Sequence, residues 1–317
     1  MTHQECIGHS AAFSTAMEKA DRIAASGARV LITGETGTGK ELIAHRIHAA
    51  SPRRTKPFVA INCSALPAAL LESELFGHVR GAFTEAHRTH EGLIASAAGG
   101  TLFLDEIADM EVPLQAKLLR FLETGEYRKI GSTEMESSDV RILSATHQNL
   151  KHMVSRNLFR EDLYYRLAVL SIDMPPLRAR KEDIPELAQY FLERFAAMEH
   201  KKIIAIETEA LSMLMQYPWP GNTRELQNTM QKAVIMLDGP ILTASLLQDI
   251  LPEAQEDGQD NIVSLKSSWT PKPLWQVEKE AIDATIRHCG GNIPRAAALL
   301  QVSPSTLYRR KEINPKN

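Results

Sequence analysis

The stretch Gly34-Glu35-Thr36-Gly37-Thr38-Gly39-Lys40-Glu41 (GETGTGKE) decides how the rest of this 317-residue chain is read. It follows the apolar run Val30-Leu31-Ile32 and leads into Glu41-Leu42-Ile43-Ala44-His45-Arg46-Ile47, whose apolar residues fall at helical spacing. The spacing G-x-x-x-x-G-K between a strand and a helix is the context of a phosphate-binding loop. Glycines let successive backbone N–H groups curl around phosphate oxygens. The helix N-terminus adds the positive end of its dipole, and Lys40 reaches the β- and γ-phosphates. Glu41 stands where the general pattern has Ser or Thr for Mg²⁺, so the ion must depend on other groups.

Those groups lie in Leu102-Phe103-Leu104-Asp105-Glu106, an apolar strand that delivers two adjacent carboxylates to its C-terminal end. Asp105 is placed to hold Mg²⁺, directly or through water, and Glu106 to polarise an attacking water. The chain has no Asn-Lys-x-Asp element that reads guanine, so ATP is the expected nucleotide.

Outward from the loop, Phe58–Ile61, Thr101–Leu104 and Arg141–Ala145 read as further strands. Pro113 to Leu122 reads as an amphipathic helix with Leu114, Leu118, Leu119 and Leu122 on one face. Alternation of this kind over residues 29–178 predicts an α/β fold, a parallel sheet covered by helices. Pro175-Pro176 breaks the pattern. Beyond it, Ile184–Met198, Thr208–Gln216, Thr223–Leu237 and Thr243–Ile250 read as helices with no strands between them. The expected organisation is an α/β domain over 1–178, a helical subdomain over 179–251, a breaker-rich linker over 252–273 and a small all-α unit over 274–317.

Apolar residues make up 44% and charged residues 24% of the chain, ordinary for a globular protein. The net charge of −3 is unevenly spread: Arg287 to Asn317 holds six Lys/Arg and one acid, a local +5 against −8 for the rest. A basic terminal module on an acidic body suggests a nucleic-acid end. Cys6, Cys63 and Cys289 are scattered, without the spacing of a zinc site or a disulfide framework, which fits a reducing, cytoplasmic setting. There is no membrane-length apolar run and no apolar signal-peptide region, so no membrane partner is expected.

In the basic module, Asn292 to Arg310 reads as two short helices and a tight turn. Ala296, Ala297, Leu299 and Leu300 pack the first helix, Ser303 caps the second and Pro304 is its first residue. Leu307 points back into the pair, leaving Ser305, Thr306, Tyr308, Arg309 and Arg310 available. This is helix-turn-helix logic, in which the second helix enters the major groove of double-stranded DNA. Ser305 and Thr306 are candidates for base edges, and Arg309 and Arg310 for phosphates. Leu274 to Ile286 is a candidate dimer helix that would give two half-site readers. One stretch stays unexplained by these patterns: Gly81-Ala82-Phe83-Thr84-Glu85-Ala86 (GAFTEA) puts a large apolar ring on a loop with no period to bury it.

Taken together, GETGTGKE, Glu74-Leu75-Phe76-Gly77-His78 followed by GAFTEA, and Gly99–Glu106 (GGTLFLDE) resemble the bacterial AAA+ enhancer-binding proteins that activate sigma-54 RNA polymerase. The same holds for Phe159–Leu167 (FREDLYYRL), Pro175-Pro176-Leu177-Arg178 and Trp219–Leu226 (WPGNTREL). The resemblance covers roughly residues 5–250, and the C-terminal unit resembles the Fis-type helix-turn-helix, with Gln301 in the region of the usual turn glycine. It implies an AAA+ P-loop ATPase domain with a helical lid and nucleotide held by residues Gly34, Glu35, Thr36, Gly37, Thr38, Gly39, Lys40 and Glu41. The family tolerates the Glu at position 41. Arg160 and Arg166 look like arginine fingers acting from a neighbouring subunit of a homo-oligomer, from dimer to hexameric ring. Arg224 looks like the nucleotide sensor of the lid. Asn62 resembles the polar residue that restrains Glu106, and a turn role for it stands beside that reading. Thr146-His147 occupies the first sensor position, where many members carry Thr-Asn.

In the family, the GAFTGA loop touches sigma-54, which gives Gly81, Phe83 and Thr84 a reason to be exposed. Here Glu85 replaces the second glycine. The implied function is an ATP-hydrolysing regulator that binds an upstream enhancer site and remodels the sigma-54 RNA polymerase holoenzyme in the bacterial cytoplasm. The alternative is a DNA-binding regulator or repressor whose altered loop does not engage sigma-54 productively. The family's sensing domains precede the ATPase, whereas only Met1 to about Ile7 precede it here. Control by a separate regulatory protein and derivation from a longer chain are both open on this reading.

Overall fold

The computed structural model describes residues 6–83, 86–203, 205–251, 274–289, 292–300 and 302–307. They belong to two compact units, Met1–Ala254 and Gln255–Asn317. The expected linker, 252–273, lies outside the described residues.

The first unit begins with helix α1 (Ala11–Ala24), strand β1 (Val30–Thr33), α2 (Lys40–Ala49), β2 (Phe58–Asn62), α3 (Ala68–Phe76), a single turn α4 (Leu93–Ser96) and β3 (Thr101–Asp105). It continues with α5 (Val112–Thr124), a two-residue pairing of β4 (Glu126–Tyr127) with β5 (Glu136–Ser137), β6 (Arg141–Thr146), α6 (Leu150–Ser155), α7 (Glu161–Leu167) and β7 (Leu170–Asp173). The sheet order is β2-β3-β6-β1-β7, and every pair is parallel. A parallel sheet needs cover on both faces, and the strand sequences supply it. Because side chains alternate across a strand, Leu31, Leu102, Leu104 and Ile142 enter one core with α3, α5 and α7. Val30, Ile32, Phe103, Leu143, Ala145 and Ile172 enter the other core, with α1 and α2. Arg141 lies at the buried start of β6. Its guanidinium donates to the carbonyls of Ile23, Ala24 and Ala28 at 3.0–3.2 Å, satisfying the C-terminal end of α1 with a cation.

The lid contains α8 (Ile184–Met198), β8 (Ala205–Ile206), α9 (Thr208–Gln216), α10 (Asn222–Met236), β9 (Ile241–Leu242) and α11 (Ala244–Ile250). The absence of strands expected here is corrected in one detail: β8 and β9 pair in parallel over two residues, tying the connections that flank α9 and α10. Thr243 lies outside its helix and caps it, accepting from the Leu246 N–H at 3.5 Å. The lid core surrounds Trp219, which is fully buried and donates Nε1–H to the Leu214 carbonyl at 2.7 Å.

The second unit holds α12 (Leu274–His288), α13 (Ile293–Leu299) and a helical turn over 304–307. Ile282, Ala296, Ala297 and Leu307 form its core. Asn292 caps α13 by accepting from the Arg295 N–H at 3.1 Å, and Ser303 accepts from the Thr306 N–H at 3.3 Å. Leu299, expected in the packing face, instead points outward with 61% exposure. It falls beyond the edge of the stripe formed by Ile293, Ala296, Ala297 and Leu300.

Replacing Trp219 with Ala removes the largest fully buried side chain and its hydrogen bond. The expected cost is about 3–5 kcal/mol, read as a lowered thermal midpoint of the lid with the secondary structure of the second unit retained.

Candidate functional site

The glycine loop leaves β1 and turns into α2 at the C-terminal edge of the sheet, where ligands of open α/β folds collect. Gly37 has φ 80°, and a Cβ there would lie 2.2 Å from the Gly221 carbonyl oxygen of the lid. Only glycine meets both conditions. Gly39, also at positive φ, is the N-cap of α2, so the loop's backbone feeds directly into the helix N-terminus. Thr38 is buried and closes the loop by donating Oγ1–H to the Glu35 carbonyl at 2.8 Å. Glu41 sits exposed in the first turn of α2, near His45.

Lys40 is buried in this turn. Its Nζ lies 3.0 Å from the Gly34 carbonyl, 3.3 Å from that of Glu35 and 3.4 Å from Glu106 Oε1. Asp105 ends β3 and Glu106 follows in a left-handed conformation, φ 49°. The two carboxylates are driven apart. Burial, then the Glu106 charge, pushes Asp105 above the ordinary carboxylate range against the pull of Lys40. Burial also raises Glu106, but hydrogen bonding from His147 and the charge of Lys40 outweigh it and leave that carboxyl below its ordinary value.

A cleft of about 780 Å³ runs over these groups. Its walls include Thr36, Gly37, Gly39, Lys40 and Glu41 from the loop, Asn62, Asp105, Glu106 and His147 from strand ends, and Thr223 and Arg224 from the lid. Beside it, an apolar recess lined by Ile7, Phe13, Leu42, Met174, Tyr190 and Phe191 shares Thr38 and Gly39 with the loop. Arg224 stands exposed at the rim. Asn62 lines the cleft, but its Oδ1 is occupied by the N–H and hydroxyl of Ser64 at 2.8 and 2.7 Å. It makes the turn contact, and the hydrogen bonds to Glu106 come from His147. Thr146 is buried and accepts from the Gln148 N–H at 3.0 Å, which shapes the turn carrying His147.

Arg160 and Arg166 lie away from the walls of this cleft. Arg160 pairs with Asp162 through two bonds of 3.1 and 2.8 Å, and Arg166 with Glu123 at 3.2 Å. Both pairs are solvent-exposed and therefore weakly held. The Arg160 backbone is fixed by a buried glutamine that sequence reasoning did not single out. Gln115 accepts from the Arg160 N–H at 2.8 Å and donates to the Met110 and Leu158 carbonyls at 2.8 and 3.2 Å.

A set of loop-to-lid contacts was also not assigned from sequence, although Arg178 and Asn222 stand inside recognised motifs. Arg178 forks onto Glu35 at 2.7 and 2.5 Å. Asn222 is fully buried at φ 54°. It accepts from the Leu177 N–H at 2.7 Å and donates to Glu35 Oε2 at 3.2 Å and the Thr36 carbonyl at 3.0 Å. Arg180, also buried, donates to Thr223 Oγ1 at 2.8 Å and lies 4.7 Å over the Phe13 ring.

In the loop that carries Phe83, Gly81 has φ 82°, and a Cβ there would meet open space. Phe83 is 39% exposed and rests edge-on against His78 at 4.9 Å, so it is only partly in solvent. Thr84 and Glu85 lie outside the described residues, as do Tyr308, Arg309 and Arg310 in the second unit. Ser303 and Ser305 are exposed and Thr306 half-buried, their three hydroxyls linked at 2.7–2.9 Å. Among the described residues no helix is long and apolar enough to cross a membrane.

Comparison with known proteins places these features in a family. Residues 6–173 match the sigma-54 interaction domain, residues 178–262 the AAA+ ATPase lid domain and residues 273–310 the bacterial regulatory proteins of the Fis family. The regulatory protein LuxO of Vibrio cholerae serotype O1 is 45% identical over 315 residues, covering 97% of this chain and 69% of that protein. The transcriptional regulatory protein ZraR of Escherichia coli K12 is 44% identical over 304 residues, covering 96% and 67%. The crystal structure of NtrX from Brucella abortus in complex with ATP aligns with a TM-score of 0.72 at 37% identity, covering 96% of this chain and 68% of that one. Glycine loop, lid and helix-turn-helix each match a family model in turn, and the chain belongs to the bacterial sigma-54-dependent transcriptional regulators, with an AAA+ P-loop domain, a helical lid and a C-terminal Fis-type helix-turn-helix.

Proposed function

We propose that this chain is an ATP-driven transcriptional activator that binds an upstream DNA site, assembles into a ring and remodels sigma-54 RNA polymerase. The observation that carries the reading is the cleft itself, in which Lys40, Asp105 and Glu106 converge beneath the glycine loop and Arg224 of the lid stands at the rim. NtrX, a structural relative, binds ATP in its crystals.

The loop N–H groups and Lys40 hold the β- and γ-phosphates, and the apolar recess beside Gly39 seats the base. Asp105 suits a divalent cation: it is a hard oxygen donor whose charged form is disfavoured by burial and by Glu106, and a bound cation relieves both. Bound there, Mg²⁺ supplies charge neutralisation at the phosphate oxygens. Glu106 polarises the attacking water. Arg160 and Arg166, outside their own cleft and weakly paired, serve the cleft of a neighbouring copy, which makes hydrolysis depend on assembly. The Phe83 and Thr84 loop contacts sigma-54. The second unit docks on double-stranded DNA, with Ser305 and Thr306 toward base edges and Tyr308, Arg309 and Arg310 beside them.

The direct test is open-complex formation on a fully duplex promoter with purified sigma-54 holoenzyme. The reading expects ATP-dependent opening; a ring that hydrolyses ATP but opens no promoter refutes it. Lys40→Ala is expected to weaken nucleotide binding on the order of 100-fold. Arg166→Ala is expected to keep binding while turnover falls on the order of 10³-fold, and normal turnover in that variant removes its finger role. Asn222→Asp loses the donor to Thr36 and sets a second carboxylate beside Glu35. It is expected to weaken nucleotide affinity roughly tenfold in equilibrium titration.

A further inference from the structure

Glu106 is held in a way that phosphate binding does not require. One residue, His147, meets its Oε2 twice, through the backbone N–H at 3.2 Å and ring Nδ1 at 2.7 Å. The other oxygen, Oε1, faces Lys40 Nζ at 3.4 Å. Oε2 is thus hydrogen-bonded twice by one residue while Oε1 faces an ammonium, and a carboxylate held in this way is turned from a water and is a poorer proton acceptor until the contacts loosen. The backbone around it is imposed as well. A non-glycine residue at φ 49° persists where its surroundings over-determine it, and here the turn after β3 is fastened to the turn after β6 at a second point. Gln148 Nε2 donates to Asp109 Oδ1 at 2.7 Å, beside the His147 contact. Asn62, at the end of β2, accepts from Ser64 through Oδ1, and the hydrogen bonds that reach Glu106 come from His147.

We propose that His147 is the positioning residue that withholds Glu106 from the attacking water, which seats a restraint on hydrolysis at the end of β6. The proposal rests on the water-polarising role given to Glu106 above. His147 is 42% exposed along its side chain and lines the cleft, so its ring has room to swing clear. Because Thr146 and Gln148 fix the same turn, movement at the end of β6 releases Glu106 directly.

The test is steady-state ATP hydrolysis by the full chain without DNA or polymerase, alongside binding of a fluorescent ATP analogue. His147→Ala is expected to raise the basal kcat roughly tenfold, the scale of one lost charge-assisted hydrogen bond, with KM and analogue affinity unchanged. His147→Asn, whose side-chain amide donates at similar reach, is expected to bring kcat back toward the wild-type value. Glu106→Gln in the His147→Ala background is expected to abolish the gain. A His147→Ala protein with wild-type or lower kcat, or with lost analogue binding, overturns the proposal. So does a gain that comes from Asn62→Ala in its place. A single Glu106→Gln variant that hydrolyses at the wild-type rate instead contradicts the role of Glu106 itself, which separates failure of the underlying reading from failure of the restraint.

Discussion

The first unit depends on how one glycine loop is held between the sheet and the lid. Asn222 uses both ends of its amide for this, accepting from the Leu177 N–H in the turn that leads into the lid and donating to Glu35 and Thr36 of the loop. It is fully buried, so each of these bonds replaces one that water cannot supply. Gly37 completes the junction from the other side, since its missing Cβ is what lets the Gly221 carbonyl approach. Arg178 and Arg180 add charge-assisted contacts at the two flanks. Loop and lid thus share one set of hydrogen bonds, so the proposed phosphate binding in the loop would bear on α10 through contacts already made.

The second organising feature is a charge balance around Lys40. One buried ammonium faces two loop carbonyls and the Glu106 carboxylate, while Asp105 next door lacks comparable support. The outcome is one carboxyl displaced upward and its neighbour downward, the kind of separation by which adjacent acids take different tasks. His147 sharpens that separation because both of its donors act on Glu106 and neither on Asp105.

Much of this was legible in the sequence, because buried parallel strands and amphipathic helices leave strong patterns. The apolar runs at Val30, Phe58, Thr101 and Arg141 became the four strands β1, β2, β3 and β6, and the lid helices fall within a residue of their expected ends. Among the elements absent from the sequence reading, β7 and α1 show two different reasons. β7 is an edge strand in which only Ile172 is fully buried, so four residues carry almost no periodic signal. α1 does carry an apolar stripe from Phe13 to Ala24, but much of it is alanine, which reads weakly as a core. At the site, motif spacing identified Lys40, Asp105 and Glu106. The partners of Glu106 were not readable, because they depend on where Asn62 and His147 point once β2 and β6 flank β3. The same holds for Asn222, whose loop partner is 186 residues away in the chain.

The central claim is that loop and lid respond to nucleotide as one body. Amide hydrogen exchange of the full chain, with and without ATP and Mg²⁺, measures it most directly. The account predicts that protection rises together in residues 34–41 and residues 219–226. Protection confined to 34–41, with 219–226 unchanged, would contradict it.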